Sequence, residues 1–360
     1  MSIAKRNIVI DVIKGIGICL MVCGHSGCPA TDWIYLFHMS LFFIASGYLW
    51  NEKNASSISN LKKYIIRKLY SLWIPFIIIN LFFTITYNIF FSWGLYSNIS
   101  DKNIITTIPL DNISFFKQVV SNFLFSGGTQ LAGATWFLRS LFCISVINAI
   151  VVYVLKKIEL DRFYFVIIIF IIAGACLVNA NEIFRELAGK IGLESFFAGY
   201  YAFLLGVILR RINIISILND FKNILLPVTF ILLIILNNYG TIQLNIGHIE
   251  NILFYTVVSI LGWLFISSIS LTISSMKISK IFIYISQKSL WIIGLYFLGF
   301  KIVSYATIYL TQCSKIKLAY YPVITINNWI WIIYLLVGLL FPLVIQLLYS
   351  IVKEKIGLIF

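Results

Sequence analysis

Long runs of apolar residues recur along the whole chain and leave few folds open to it. One of them, WIPFIIINLFFTITYNIFF, extends over residues 73–91 without a charged side chain. Runs near 20 residues have the length of a helix that crosses a bilayer, whereas strands of a membrane barrel would alternate apolar and polar residues. Only 11% of the 360 residues are charged, too few to cover the surface of a soluble protein. The sequence therefore predicts an all-α polytopic membrane protein.

About ten membrane-spanning helices are predicted, joined by short connections except for one long loop between the third and fourth spans. This pattern predicts a single membrane domain over residues 1–360, with no soluble domain, that lies in the lipid bilayer. The predicted spans are Ile8–Gly24, Trp33–Trp50, Leu69–Phe91, Thr135–Leu155, Phe163–Val178, Ser195–Leu209, Ile224–Leu236, Ile252–Ile273, Leu290–Leu310 and Trp329–Val352.

Basic residues are unevenly shared between the two sets of connections. Eighteen Lys and Arg residues fall on one side of the predicted membrane and six on the other, while Lys14, Arg139 and Lys301 lie inside spans. Because basic loops stay in the cytoplasm, this asymmetry predicts that both termini are cytoplasmic. It also explains the net charge of +14 without a nucleic-acid partner. The six cysteines show no metal-ligand spacing, so no metal is expected.

Three ionisable side chains are predicted to share one stripe of the first span. Asp11 and Lys14 are three residues apart and can pair on a helix. Lys14 and His25 are eleven residues apart, almost a whole number of turns, with a rise of roughly 16 Å. Ionisable groups inside spans are costly and mark functional sites, so all three are candidate catalytic residues. A structural ion pair between Asp11 and Lys14, and an interfacial role for His25, are the alternatives.

The predicted topology brings further polar side chains to the depth of His25. His38 follows the start of the second span, and Trp136 and Arg139 begin the fourth, both entered from the outer side. His38 and Arg139 are therefore candidate catalytic residues as well. A helix-to-helix hydrogen bond for His38, and an Arg139 side chain that reaches the lipid headgroups, are the alternatives.

A basic segment precedes the third span, on the predicted cytoplasmic side. Its members are Lys62, Lys63, Arg67 and Lys68. The simplest interpretation is an orientation signal that also meets anionic lipid. The alternative is a docking site for a phosphorylated cofactor.

These residues carry a resemblance to a known family. The stretch IDVIKGIGICLMVCGH (10–25), followed by YLFHMSLFFIASGYL (35–49), resembles the start of membrane acyltransferase family 3. Lys14 and His25 match the Arg/Lys-x10-His signature of that family. ATWFLRSLF (134–142) and RKLYSLWIPF (67–76) are similar to two later motifs. SQKSLWIIGLY (286–296) departs from a further one, since Tyr296 stands where a histidine would be expected.

The resemblance implies an O-acetyltransferase of the bacterial inner membrane that modifies a cell-surface sugar, such as O-antigen, capsule or exopolysaccharide. Acetyl-CoA would be the acyl donor, held near Lys14, Arg67, Lys68 and Trp136. His25 would act as general base or as acyl carrier, with Asp11 holding Lys14. Arg139 and His38 would stabilise the oxyanion.

Two other classes of protein share some of these features. A transporter or flippase of a lipid-linked sugar also buries ion pairs and histidines, but its usual inverted repeats and broken helix pairs are not evident in the sequence. A polymerase or ligase of lipid-linked sugars would rely on several long outer loops, and only one is present.

Overall fold

The chain is almost entirely helical. The computed structural model describes residues 7–124, 126–159, 163–190 and 194–356. Lys5, Arg6 and Arg162, which contribute to the predicted charge asymmetry, lie outside the described residues. The helices are α1 Ile8–His25, α2 Thr31–Tyr35, α3 His38–Tyr48, α4 Ile58–Lys68, α5 Ile74–Ile85, α6 Tyr87–Ser92, α7 Asn112–Phe123, α8 Trp136–Lys157, α9 Phe163–Ala180, α10 Glu182–Lys190, α11 Phe196–Arg211, α12 Ile214–Leu236, α13 Ile252–Ile273, α14 Ser279–Gln287, α15 Ser289–Thr311 and α16 Ile330–Ile356.

Short elements complete the chain. Antiparallel strands β1 (Ile242–Gln243) and β2 (His248–Ile249) pair with each other. A π-helical turn, Leu69–Trp73, joins α4 to α5. The 3-10 turns are Glu52–Ala55, Gln130–Thr135, Leu244–Ile246 and Lys315–Ala319.

Within the described residues, seven helices are long and apolar enough to cross a membrane, or eight if the bent pair formed by α9 and α10 is one span. The prediction of an all-α polytopic membrane protein is confirmed. The count of ten spans and the cytoplasmic placement of both termini stay predictions. The predicted sixth span corresponds to α11, whose 16 residues are fewer than a helix usually needs to cross a bilayer.

The predicted second span is interrupted between α2 and α3. The carbonyl of Ile34 accepts a hydrogen bond from the Phe37 N–H at 3.3 Å and another from the His38 imidazole at 3.0 Å. In a continuous helix this carbonyl would bond to the backbone N–H four residues later. Here the His38 imidazole and the N–H three residues later bond to this carbonyl instead. The helix is therefore interrupted, and α3 begins at His38.

The described residues divide into two compact units. The first comprises the described parts of Met1–Gly17, Asp32–Phe76 and Trp136–Ser286. The second comprises the described parts of Ile18–Thr31, Ile77–Thr135 and Gln287–Phe360. The single membrane domain predicted from the sequence stays a prediction.

In the first unit, α3 and α11 pack backbone against backbone. A Cβ added to Gly47 would lie 1.8 Å from the Phe203 carbonyl oxygen, and one added to Gly206 would lie 2.1 Å from that of Ile44. Small residues of this kind let membrane helices approach closely, where dispersion replaces the hydrophobic effect as the attraction. The two glycines therefore set the distance between these helices.

We expect Gly206→Ala to lower the free energy of unfolding by about 1–3 kcal/mol, because the new methyl group meets backbone atoms that cannot move aside cheaply. Thermal unfolding of the detergent-purified protein measures this. Gly189→Ala is the matched control: a Cβ there meets nothing within 4 Å. Alanine in place of a helical glycine should raise stability by about 0.5–1 kcal/mol at Gly189. Equal effects of the two variants would contradict close packing at Gly206.

A charge cluster also joins three segments of the first unit. The Glu52 carboxylate accepts a hydrogen bond from Lys156 at 2.8 Å and another from Arg211 at 2.6 Å. Lys156 lies at the end of α8 and Arg211 at the end of α11. Partial burial raises the pKa of the Glu52 carboxyl, but the hydrogen bonds and charges of Lys156 and Arg211 outweigh it and hold that pKa below its ordinary value. The carboxylate is therefore stabilised in its charged form by the fold.

This lowered pKa makes part of the stability depend on pH. The contribution of Glu52 should be fully present above the ordinary glutamate pKa and should disappear as pH falls through the lowered pKa of the folded state. The melting temperatures of wild type and Glu52→Gln should therefore differ at neutral pH and converge in acid. Glu186→Gln, at an exposed position, should show no such convergence. A pH-independent difference for Glu52→Gln would contradict the linkage.

In the second unit, α15 and α16 pack through glycines as well. A Cβ on Gly299 would lie 3.2 Å from the Val337 carbonyl oxygen, and one on Gly338 would lie 2.5 Å from the Phe300 ring.

Buried side chains also tie the long loop to α5: Asn80 Nδ2 donates a hydrogen bond to Thr135 Oγ1 at 3.0 Å. The end of the loop that precedes Trp136 is therefore fixed to α5 by this hydrogen bond.

Candidate active site

His25 is the last residue of α1 and lies in the second unit. Its Nδ1 is 2.8 Å from the Met21 carbonyl oxygen, one helical turn earlier. Because a carbonyl oxygen only accepts hydrogen bonds, Nδ1 carries the hydrogen. In the neutral imidazole, Nε2 then carries the lone pair. The helix itself therefore selects the tautomer in which Nε2 is the basic nitrogen.

Two aromatic side chains of α15 lie against the His25 ring. The Tyr296 ring centroid is 5.7 Å from that of His25, and the Phe297 centroid is 5.4 Å away in an edge-to-face arrangement. Both aromatic residues are buried. Phe297 also packs against Tyr321, with centroids 4.8 Å apart. His25 is thus a polar group that lies against apolar, aromatic side chains, a composition found in many ligand sites.

His38 has a similar local geometry in the first unit. It is 4% exposed, its Nδ1 is 3.0 Å from the Ile34 carbonyl oxygen, and its ring stacks on that of Tyr35 at 4.9 Å. The same argument places the lone pair of its neutral form on Nε2. Part of its role is structural, because it marks the restart of the helix.

Arg139 is bound to a carboxylate that sequence analysis did not single out. Its Nη2 is 2.8 Å from Glu194 Oε1, and the side chains are only 10% and 16% exposed. The neighbouring hydroxyls of Ser140 and Ser195 form a hydrogen bond beside this pair. Two consecutive residues near the start of α8 thus bind two consecutive residues that precede α11. Trp136, the first residue of α8, is half-buried and contacts Phe137.

Basic side chains gather where α4 ends in the first unit. Arg67 and Lys68 both lie over the Tyr64 ring, at 5.3 and 5.4 Å from its centroid, and Arg67 donates to Asn54 at 3.2 Å. The charges of Lys14 and Arg67 both act on the ammonium group of Lys68. The π-helical turn Leu69–Trp73 follows directly, and such turns are frequent at functional sites. Cations assembled in this way can hold a phosphorylated ligand.

The predicted residues fall into these environments as follows. Asp11, Lys14 and His25 lie on one continuous helix, as the sequence predicts. His38, Trp136 and Arg139 belong to the first unit and His25 to the second. Their common depth in the membrane stays a prediction, as does each catalytic role. In the described part of the chain, no group of three or more His, Cys, Asp and Glu side chains could hold a metal ion.

Sequence reasoning missed two residues of these environments. Glu194 was overlooked because it precedes an apolar span as a single acidic residue, although a charge at that boundary is the signal that could have revealed it. Phe297 gave no signal at all, since it is one aromatic residue among many. Tyr296, which stands in place of the histidine of a family motif, carries no predicted role, and the structure places it against His25.

The comparison with protein families assigns the class of protein. The sequence model of an acyltransferase domain matches residues 7–347, nearly the whole chain. Together with the apolar helices, this match defines a multi-pass membrane acyltransferase. The chain belongs to membrane acyltransferase family 3. Neither the comparison with curated proteins nor that with solved structures found a match.

Proposed function

We propose that this acyltransferase moves an acetyl group from cytoplasmic acetyl-CoA to a hydroxyl of a cell-surface sugar, in the inner membrane of a bacterium. The observation that carries the proposal is the setting of His25, a histidine whose tautomer leaves Nε2 basic and whose ring lies against aromatic side chains. A transfer to a hydroxyl needs a base of this kind near neutral pH.

The donor would bind through the basic side chains Lys14, Arg67 and Lys68. CoA carries several phosphate charges, which cations near a membrane surface attract strongly. Lys14 and His25 lie on the same helix, so the long thioester arm of the donor would extend along α1 from the cations toward the imidazole. Trp136 is the proposed aromatic contact of the donor, on the strength of the family motif.

In the proposed reaction, His25 Nε2 takes the proton of the sugar hydroxyl as the oxygen attacks the thioester carbonyl. The tetrahedral intermediate then collapses, the C–S bond breaks, and the CoA thiolate leaves and takes up a proton. In an alternative path, Nε2 first attacks the thioester carbonyl, the C–S bond breaks and the CoA thiolate leaves. The sugar hydroxyl then attacks the acetyl-imidazolium, which frees Nε2, and the hydroxyl proton goes to the thiolate. Arg139 and His38 stay the predicted donors to the oxyanion, and Asp11 the predicted partner that orients Lys14.

Variants of the basic cluster test the donor site. We expect Lys68→Met to raise the KM for acetyl-CoA about tenfold to a hundredfold, since a hydrogen bond to a charged group contributes about 1.5–3 kcal/mol. Initial rates with labelled acetyl-CoA measure this. Lys62→Met removes an exposed lysine of the same helix and should leave the KM unchanged. Equal KM values for the two variants would place the donor elsewhere.

The function itself is tested by following label from acetyl-CoA into polysaccharide in membranes with and without the protein. Label that appears in polysaccharide only when the protein is present supports the proposal. Absence of labelled polysaccharide, combined with lipid-linked sugar that accumulates on one leaflet when the protein is missing, would overturn it in favour of a flippase. Parallel reactions with succinyl-CoA identify the acyl group.

A further inference from the structure

Lys301 is a basic residue buried within a membrane-spanning helix. It lies in α15, in the second unit, and is 3% exposed. Its Nζ donates hydrogen bonds to two backbone carbonyls, that of Leu318 at 2.9 Å and that of Tyr320 at 2.6 Å. An amino group is costly inside a bilayer and is seldom kept there without a task. The task suggested by these bonds is to hold residues 318–321, which we call the strap.

The strap is also held by the long loop of the second unit. The Tyr321 N–H donates to the Asn103 carbonyl at 2.9 Å, and the Tyr320 hydroxyl donates to the Asp101 carboxylate at 3.3 Å. Ala319, between the two carbonyls that Lys301 binds, is 1% exposed. Hydrogen bonds from two separate segments therefore determine where the strap lies.

The last residue of the strap packs on an aromatic ring that in turn contacts His25. Tyr321 packs on Phe297, and Phe297 contacts the His25 ring. A Cβ on Gly133 would lie 2.9 Å from the Tyr321 hydroxyl oxygen, so this hydroxyl lies over the backbone of the turn Gln130–Thr135. Phe297 and Tyr296 are buried whereas Tyr321 is half-buried. Among these three rings, Tyr321 is the one that an incoming molecule would meet.

We propose that Tyr321 forms the wall of a sugar-acceptor site beside His25, and that Lys301 is the positioning residue that holds Tyr321 there. This inference rests on the proposed transfer to a sugar hydroxyl. A sugar ring has an apolar face and hydroxyls at its edge. An aromatic wall beside a basic nitrogen can therefore hold the ring while one hydroxyl approaches Nε2.

The first test separates acceptor binding from donor binding. Lys301→Met removes the hydrogen-bond donor at nearly constant side-chain length. The substrates are labelled acetyl-CoA and unacetylated polysaccharide extracted from cells that lack the gene. We expect the KM for polysaccharide to rise on the order of tenfold to a hundredfold, as for a misplaced substrate. The KM for acetyl-CoA, and the slow hydrolysis of acetyl-CoA by water, should stay as in wild type.

Two further variants make this test specific. Tyr321→Ala removes the wall and leaves Lys301 in place, so it should reproduce the rise in KM for polysaccharide even if Lys301→Met fails to fold. Lys315→Met is the matched control, because Lys315 is an exposed lysine just outside the strap. Its kinetic constants should equal those of wild type.

The second test measures whether the strap is in place, and it does not depend on acyl transfer. In Ala319→Cys, maleimide labelling of residue 319 is quantified by mass spectrometry, with Lys301 intact or replaced by methionine. The buried thiol should react slowly with Lys301 present and at least about tenfold faster without it, because the strap opens locally. Equal labelling rates would show that Lys301 does not hold the strap.

The outcomes distinguish this inference from the proposed function. If wild type transfers acetyl to polysaccharide, and Lys301→Met and Tyr321→Ala both keep its KM for polysaccharide, the inference is wrong and the function stands. If wild type hydrolyses acetyl-CoA but labels no polysaccharide, the proposed function fails and the inference fails with it.

Discussion

His25→Ala should lose acetyl transfer to polysaccharide by a factor of about 10²–10⁴, the usual contribution of a general base. The loss should appear in kcat, because the donor is bound through cations on other residues. His25→Asn is the sharper variant. Its amide can still donate to the Met21 carbonyl in place of Nδ1, but it offers no basic nitrogen. The measurement is the initial rate of label transfer in membranes with matched amounts of folded protein.

The third histidine supplies the control for this experiment. His248 lies in β2, where its Nε2 is 3.4 Å from the Thr241 hydroxyl. His248→Ala should transfer acetyl at the wild-type rate. If His25→Asn kept activity while His25→Ala lost it, the hydrogen bond to Met21 would matter and the basic nitrogen would not. If both kept activity, the proposed mechanism would be wrong.

Arg139→Met should cost about 3–5 kcal/mol of stability, because it leaves the Glu194 carboxylate buried without this cation. The double variant Arg139→Met/Glu194→Leu should recover much of that loss, since removal of both charges removes the burial penalty. The free energy of unfolding of wild type, the single variant and the double variant is measured on purified protein, with heat or with denaturant.

An exposed ion pair of the same type serves as the comparison. Arg185 lies 3.9 Å from Glu182, whose side chain is 80% exposed. Arg185→Met should therefore change stability by about 0–1 kcal/mol. If Arg139→Met cost no more than Arg185→Met, the buried pair would contribute little to the fold, and Glu194 would not explain the position of Arg139.

Much of the architecture was predictable because the bilayer acts on each segment separately. An apolar run long enough to span is a local property, so the helices around residues 8–25, 252–273 and 289–311 could be recognised without knowledge of their neighbours. The placement of Asp11, Lys14 and His25 on one helix follows from the length of the first apolar run, whereas their common stripe stays a prediction from helical periodicity. The family also follows from local motifs near the start of the chain, and the comparison confirmed it.

Local patterns failed where a side chain replaces a backbone partner or where the chain bends. The restart of the helix at His38 depends on an imidazole that takes the Ile34 carbonyl, and apolar composition contains no sign of it. The bend after α9 is a second case: its end was predictable, because four charged residues follow in α10, but the angle of 103° between the two helices was not. The apolar composition of a segment determines its affinity for lipid, but it does not determine the direction of the backbone.

By itself, then, the sequence determined that this chain is a helical membrane acyltransferase with a histidine and a lysine on its first helix. Only the tertiary structure decided what surrounds them. Arg139 meets Glu194 from 55 positions away, Lys301 binds the carbonyls of the strap, and Tyr296 and Phe297 lie against His25. The physical reason is that such contacts depend on how helices pack, and close packing at glycines such as Gly47 and Gly206 is set by the shapes of both partners together.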